Sequence, residues 1–232
     1  MVVDTLIYHP TLTKLVSFLD SAPQREKTLR LFAYLSRFLG YYALRKGYSK
    51  DTIEMYNTLK NQLSFIRKAL RFFKPVKHLQ TAAKAYDNKL LDPILQLTTI
   101  VRNLGYAGYL ALDGVVLFKM IGLIDKKKYP TVAKTSAKFW MAGLIAGVIN
   151  SLRIIYSLSS YRKQDTEKLS SEEVASISNK LFLAKRKLVW DLLDMFIAGN
   201  TLGVLHFTEG DVGLAGVITS LMGLRDMWSE QK

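Results

Sequence analysis

The chain contains no cysteine, which removes disulfides, thiolate metal ligands and thiol nucleophiles together. Histidine is nearly as scarce. His9, His78 and His206 are widely separated, so no cluster has metal-ligand spacing, and each reads as a structural or solvated side chain. The phosphate and dinucleotide loops GxxxxGK(S/T) and GxGxxG are missing, as are HExxH and GxSxG. The sequence therefore implies no metal and no cofactor, and an enzyme is not expected. Proline is limited to five residues and alternating β-rich runs are absent, which leaves long helices as the natural structure. The opening MVVDTLIYHP lacks a basic n-region and a clean apolar h-region, so a secretory signal is not expected. No Asn-x-Ser/Thr sequon occurs either, in keeping with a cytosol-facing protein.

What the chain does carry is an unusual pairing of charge and hydropathy. Its formal charge is +14 with 49% apolar residues, yet mean hydropathy is +0.09. Strongly basic nucleic-acid binders are normally hydrophilic, whereas cationic membrane proteins are not. The feature that organises the rest is DTIEMYNTLKNQLSFIRKALRFFKPVKHLQ, residues 51 to 80. Leu59, Leu63, Ile66, Leu70 and Phe73 recur at spacings of four and three, which stacks them along one stripe of a helix. Lys60, Arg67, Arg71 and Lys74 flank the stripe and Lys68 lies opposite it. No acidic residue occurs between Glu54 and Asp87, so the basic side chains would repel one another unless a polyanion neutralised them. An anionic phospholipid membrane uses both faces of such a helix, with the stripe inserted and the bases on lipid phosphates. A bundle helix with a solvated basic face and a nucleic-acid-binding helix are the other readings. Nucleic acid offers little to the apolar face, and it is not the expected partner.

Along the chain, residues 1–90 read as a cytosol-facing amphipathic region, with short helix 11–19, a longer basic helix from Gln24 to about Lys46, and the remodelling helix at about 51–75. Asp51 and Glu54 resemble a capping box for that helix, and Pro75 should kink or end it. Residues 91–160 read as apolar membrane-associated helices. The run from Ile94 to Ile124 is broken by Arg102, Asp113 and Lys119, so it is not a clean span, and Phe139 to Leu158, broken only by Arg153, is the better transmembrane candidate. Gly143 and Gly147 form a GxxxG that lets helices approach closely, and Gly199 and Gly203 form another. Residues 161–173 read as a polar linker. Residues 174–232 read as an apolar helical C-terminal region with a cytosolic tail, ThrGluGlyAsp at 208–211 serving as a turn and Val212 to Leu224 as a half-span. The fold class is all-α, a helical membrane-associated protein with basic amphipathic N-terminal helices and Gly-rich apolar C-terminal helices. Arg102, Asp113, Arg153, Asp191 and Asp194 should pair with one another, line an aqueous path or sit outside the hydrocarbon.

Four separated stretches carry a family resemblance: DTLIYHPTLTKLVSFLDSAPQREKTLRLFAYLSRFL at 4–39, RKALRFFKPVKHLQTAAKAYDNKLLDP at 67–93, KLVWDLLDMFIAGNTLG at 187–203 and GVITSLMGLRDMW at 216–228. In order and over nearly the whole chain, they resemble the peroxin-11 family of fungal peroxisomal membrane proteins. The resemblance implies a peroxisomal membrane protein that promotes organelle elongation, proliferation and fission, with both termini cytosolic. It implies that the helix matching Met55 to Lys74 is the membrane-remodelling element, that copies self-associate as a homo-oligomer, and that dynamin-related fission machinery is a partner. It also carries an alternative, a pore or channel for small metabolites, for which the embedded charges would be the lining.

Overall fold

The computed structural model describes residues 9–164 and 170–231, the side chains of 163 and 164 excepted. Among the described residues there are eight helices and no strand: α1 Pro10–Asp20, α2 Ala22–Arg45, α3 Lys50–Leu70, α4 Lys74–Asp87, α5 Pro93–Met120, α6 Val132–Gln164, α7 Ser171–Leu202 and α8 Glu209–Glu230. The all-α expectation holds.

The scarce prolines mark where helices begin. Pro10, Pro23, Pro75 and Pro93 each occupy the first turn of a helix, where the missing N–H has no intrahelical partner to lose. Side-chain caps start α3, α7 and α8. Ser49 caps α3 by accepting the Thr52 N–H at 3.3 Å, so the cap is Ser49 and not Asp51, which lies inside the first turn. Thr208 and Asp211 form a reciprocal capping box at the start of α8. The segment 208–211, expected to close a helix, therefore opens one. The preceding helix instead ends at Gly203, whose φ of 78° is the left-handed C-cap conformation.

Two helical boundaries also move. Tyr161 to Gln164 continue α6 rather than joining a linker, and 165–169 lie outside the described residues. The helix begun at Lys50 stops at Leu70 and a new one starts at Lys74, as Pro75 requires, so Phe73 and Lys74 belong to the junction and start of α4.

The chain packs as two compact units, 1–71 with 206–232, and 72–205, which cut across the four sequence segments. In the first, α2 is the hub, packed against α1, α3 and α8. It turns a small-residue row, Ala33, Ser36, Gly40 and Ala43, inward, with Gly40 facing the Tyr56 Cβ of α3. Another row, Tyr34, Phe38 and Tyr41, meets Gly216, Gly213 and Gly210 of α8, where a Cβ at Gly213 would stand 2.8 Å from the Phe38 backbone nitrogen. The glycine run that looked like a half-span is thus a packing face. The Trp228 ring sits 5.5 Å from Phe18 of α1, and the Gln231 amide donates to the Ser17 hydroxyl at 2.6 Å. That is why the two ends of the chain share one unit.

In the second unit α4, α5, α6 and α7 pack in series, each on the next. The α5–α6 contact is close because Gly105 meets the Gly143 backbone at 2.8 Å from where its Cβ would be. Polar ties reinforce it: the Ser136 hydroxyl donates to the Tyr109 carbonyl at 2.9 Å and the Asn150 amide donates to the Thr98 hydroxyl at 2.8 Å.

Candidate membrane-contacting site

Helix α3 turns its apolar residues outward and its basic flank inward. Met55, Leu59 and Ile66 are 55%, 44% and 42% exposed, while Leu63 and Leu70 are half-buried. Phe73 is more exposed still, but it stands beyond α3, so the five-residue stripe is not carried by one helix.

The inward flank is held by carboxylates of neighbouring helices. Arg67 is only 8% exposed, and its Nε donates to Glu26 Oε1 of α2 at 3.0 Å, with Arg71 Nε 4.0 Å from the same oxygen. Burial pulls the Arg67 pKa down, as do the nearby Arg71 and Arg30, while Glu26 opposes the shift. Lys60 Nζ stands 4.0 Å from Glu209 Oε2 of α8, a carboxylate that Arg37 of α2 also clamps with two bonds of 2.7 and 2.6 Å. That clamp holds Glu209 below the usual carboxylate range. Arg67 is therefore corrected from a lipid-phosphate ligand to an internal anchor: its guanidinium is buried against its own protein. Lys60, Lys68, Arg71 and Lys74 are half-buried.

Of the embedded charges of the second unit, Arg102 and Asp191 meet each other. Arg102 of α5 donates to both oxygens of Asp191 on α7, at 2.6 and 2.9 Å, and Lys187 approaches the same carboxylate at 3.5 Å. To get there the guanidinium passes α6 at Gly147, where any Cβ would collide with Arg102 Nη1. Asp194, one turn on, accepts the Trp190 indole N–H at 3.2 Å. Arg153 is elsewhere, 2.6 Å from Asp92 at the start of α5, and Asp113 is buried farther along that helix. Gly143 and Gly147 thus both lie at helix contacts. Gly199 faces Leu205 and Met141, whereas Gly203 has nothing within 4 Å of its Cβ position and is corrected from a contact to a cap.

Sequence reasoning missed Glu26 and, though it held that folding could bring Glu209 near a basic partner, did not assign that partner to α3. It also missed Gly105 and the α8 glycine row, and Val76, Leu79, Tyr86 and Leu90, which α4 and the residues after it expose. The spacing of that last set was legible beyond Pro75. Among the described residues, no three His, Asp or Glu side chains are grouped to hold a metal ion. One helix among them, Val132–Arg162, is long and apolar enough to cross a membrane, its 31 residues amounting to roughly 46 Å against a hydrocarbon core of about 30 Å.

Residues 12–228 match the family model described as Peroxisomal biogenesis factor 11 (PEX11). The chain belongs to the peroxisomal biogenesis factor 11 family. The chain is 36% identical to the peroxisomal membrane protein PMP30A of Candida boidinii, with all of both chains covered. It is 37% identical to the peroxisomal membrane protein PMP27 of Saccharomyces cerevisiae, over 98% of this chain and 99% of that one. The peroxisomal biogenesis factor 11 of Schizosaccharomyces pombe is more distant, 23% identical over 95% and 96%. No solved structure matches. The factor 11 family is one of peroxisomal membrane proteins involved in peroxisome biogenesis.

Proposed function

We propose that this protein promotes peroxisome elongation, proliferation and fission by laying α3 into one leaflet of the peroxisomal membrane. The observation that carries the reading is the outward stripe of Met55, Leu59 and Ile66 on a helix held to its own unit by the opposite flank. Such a helix is anchored on one side and open to lipid on the other. Moving three half-exposed side chains from water into acyl chains yields roughly 2–4 kcal/mol. Each lysine brought near an anionic leaflet adds about 1 kcal/mol. Area added to one leaflet favours curvature, and copies brought together by self-association would sum that effect along an elongating organelle. Both termini face the cytosol, on the side of the dynamin-related machinery that completes fission.

The test is the full chain reconstituted with small anionic vesicles, their shape followed by electron microscopy. Wild type is expected to draw out tubules and Ile66→Glu to leave the vesicles round; tubulation by Ile66→Glu would sink the wedge. The alternative reading, a metabolite pore, calls on Arg102, Asp113, Arg153, Asp191 and Asp194 as its lining. The pairing of Arg102 with Asp191 and of Arg153 with Asp92 favours a structural role for those charges. Solute flux from sealed vesicles that Arg153→Leu abolishes would reverse that preference.

A further inference from the structure

The connector between α5 and α6 combines features that a solvated loop does not. From Lys119 to Lys138 the sequence carries six lysines, Lys119, Lys126, Lys127, Lys128, Lys134 and Lys138, against the single acid Asp125. The same stretch leaves Met120, Ile121, Leu123 and Tyr129 exposed, Leu123 at 71% and Tyr129 at 63%. Four large apolar side chains within ten residues are costly in water and become favourable in an acyl environment.

The loop is built, not loose. The Leu123 N–H donates to the Phe118 carbonyl at 3.0 Å, and the Lys128 N–H donates to the Asp125 carbonyl at 3.1 Å. The Asp125 carboxylate accepts the Lys127 N–H at 2.8 Å, which turns the one negative group of the stretch toward its own backbone. Lys119 Nζ donates to the Tyr129 carbonyl at 3.3 Å and closes the base. The loop also runs directly into Val132, the first residue of the helix long enough to cross a membrane. Where that helix crosses a bilayer, a segment at its start would lie near the headgroups, the depth at which tyrosine and lysine accumulate.

We infer that the 121–131 connector is a second membrane-contacting site, an interfacial anchor whose Ile121, Leu123 and Tyr129 enter an anionic leaflet while Lys126, Lys127 and Lys128 engage its phosphates. The occupant is lipid because both parts of the surface are matched at once: the positive excess by anionic headgroups and the apolar tips by acyl chains. Each lysine contributes about a fivefold factor to partition onto an anionic surface, so the three together contribute on the order of a hundredfold.

Because the chain has no cysteine, Leu123→Cys supplies a unique attachment point for an environment-sensitive fluorophore. The labelled full chain is reconstituted into anionic vesicles, neutral vesicles and neutral detergent micelles. The expected result is blue-shifted emission and protection from iodide in anionic vesicles, both lost when Lys126, Lys127 and Lys128 are changed to Gln, with helicity unchanged. Iodide access equal to that of the micelle sample in every vesicle overturns the inference. So does protection that the three glutamines leave untouched. Ile66→Glu should not alter this readout, so failure of the α3 wedge and failure of the loop anchor are told apart.

Discussion

Arg102 of α5 holds Asp191 of α7 through a notch that Gly147 leaves in the intervening helix α6. Three helices are thereby fastened by one bidentate ion pair, and the glycine matters for what passes it as much as for what packs on it. Asp191 is almost wholly buried and Arg102 largely so, so the pair has little water to fall back on if either member is lost.

Asp191→Asn should destabilise the second unit by about 3–5 kcal/mol, because it strands a buried guanidinium. Arg102→Met combined with Asp191→Leu should cost less than either single change. Gly147→Ala should resemble the single loss, since its Cβ displaces the guanidinium. Denaturant titration of these variants and of the two single changes in mild detergent checks the order.

Glu26→Gln should free α3 from its anchor, leaving Arg67 buried beside a neutral amide at a cost of about 3 kcal/mol. Glu26→Arg with Arg67→Glu restores the pair with reversed sense and should recover part of that loss. Hydrogen exchange of the α3 amides reports the docking directly: faster exchange in the single variant, slowed again in the swap.

The clamp on Glu209 makes an acid-sensitive contact. Its folded pKa lies below the usual value, chiefly through the Arg37 hydrogen bonds, so it contributes stability above the unfolded carboxylate pKa. That contribution fades as pH falls from about 4.5 through the lower folded value. Glu209 is more than half exposed, which keeps the effect small through solvent screening. Exchange at the start of α8 should rise below about pH 4.5 in wild type, and this rise should be missing in Glu209→Gln.

Trp228→Ala should loosen α1 by about 1–3 kcal/mol, less than a fully buried tryptophan would cost because its ring is only partly covered. Limited proteolysis near residues 10–20 is the readout, with faster cleavage expected while α5 to α7 remain protected.

Periodicity and punctuation were legible in the sequence. The stripe of Leu59, Leu63, Ile66 and Leu70, the break at Pro75 and the family resemblance all stood in the residues themselves. What stayed hidden depends on partners distant along the chain. Arg67 on a helical wheel looks like its solvated neighbours; only Glu26, forty-one positions upstream, distinguishes it. Gly147 suggested helix approach, but nothing local told that an arginine side chain would occupy the space. Gly203 shared the GxxxG spacing, yet its left-handed φ serves a chain reversal, and a spacing rule does not separate the two uses. The α8 glycines looked like a membrane motif because their complement, Tyr34, Phe38 and Tyr41, lies far earlier in the chain.

The union of α1 to α3 with α8 sets an order on the making of this protein. Residues 72–205 are translated between them, so the hub helix α2 waits, with the aromatic row that α8 will cover still open, until the whole of the second unit has left the ribosome. Closure of the first unit is therefore a post-translational event. Until it happens, Tyr34, Phe38 and Tyr41 stand without the glycine face that covers them in the folded chain.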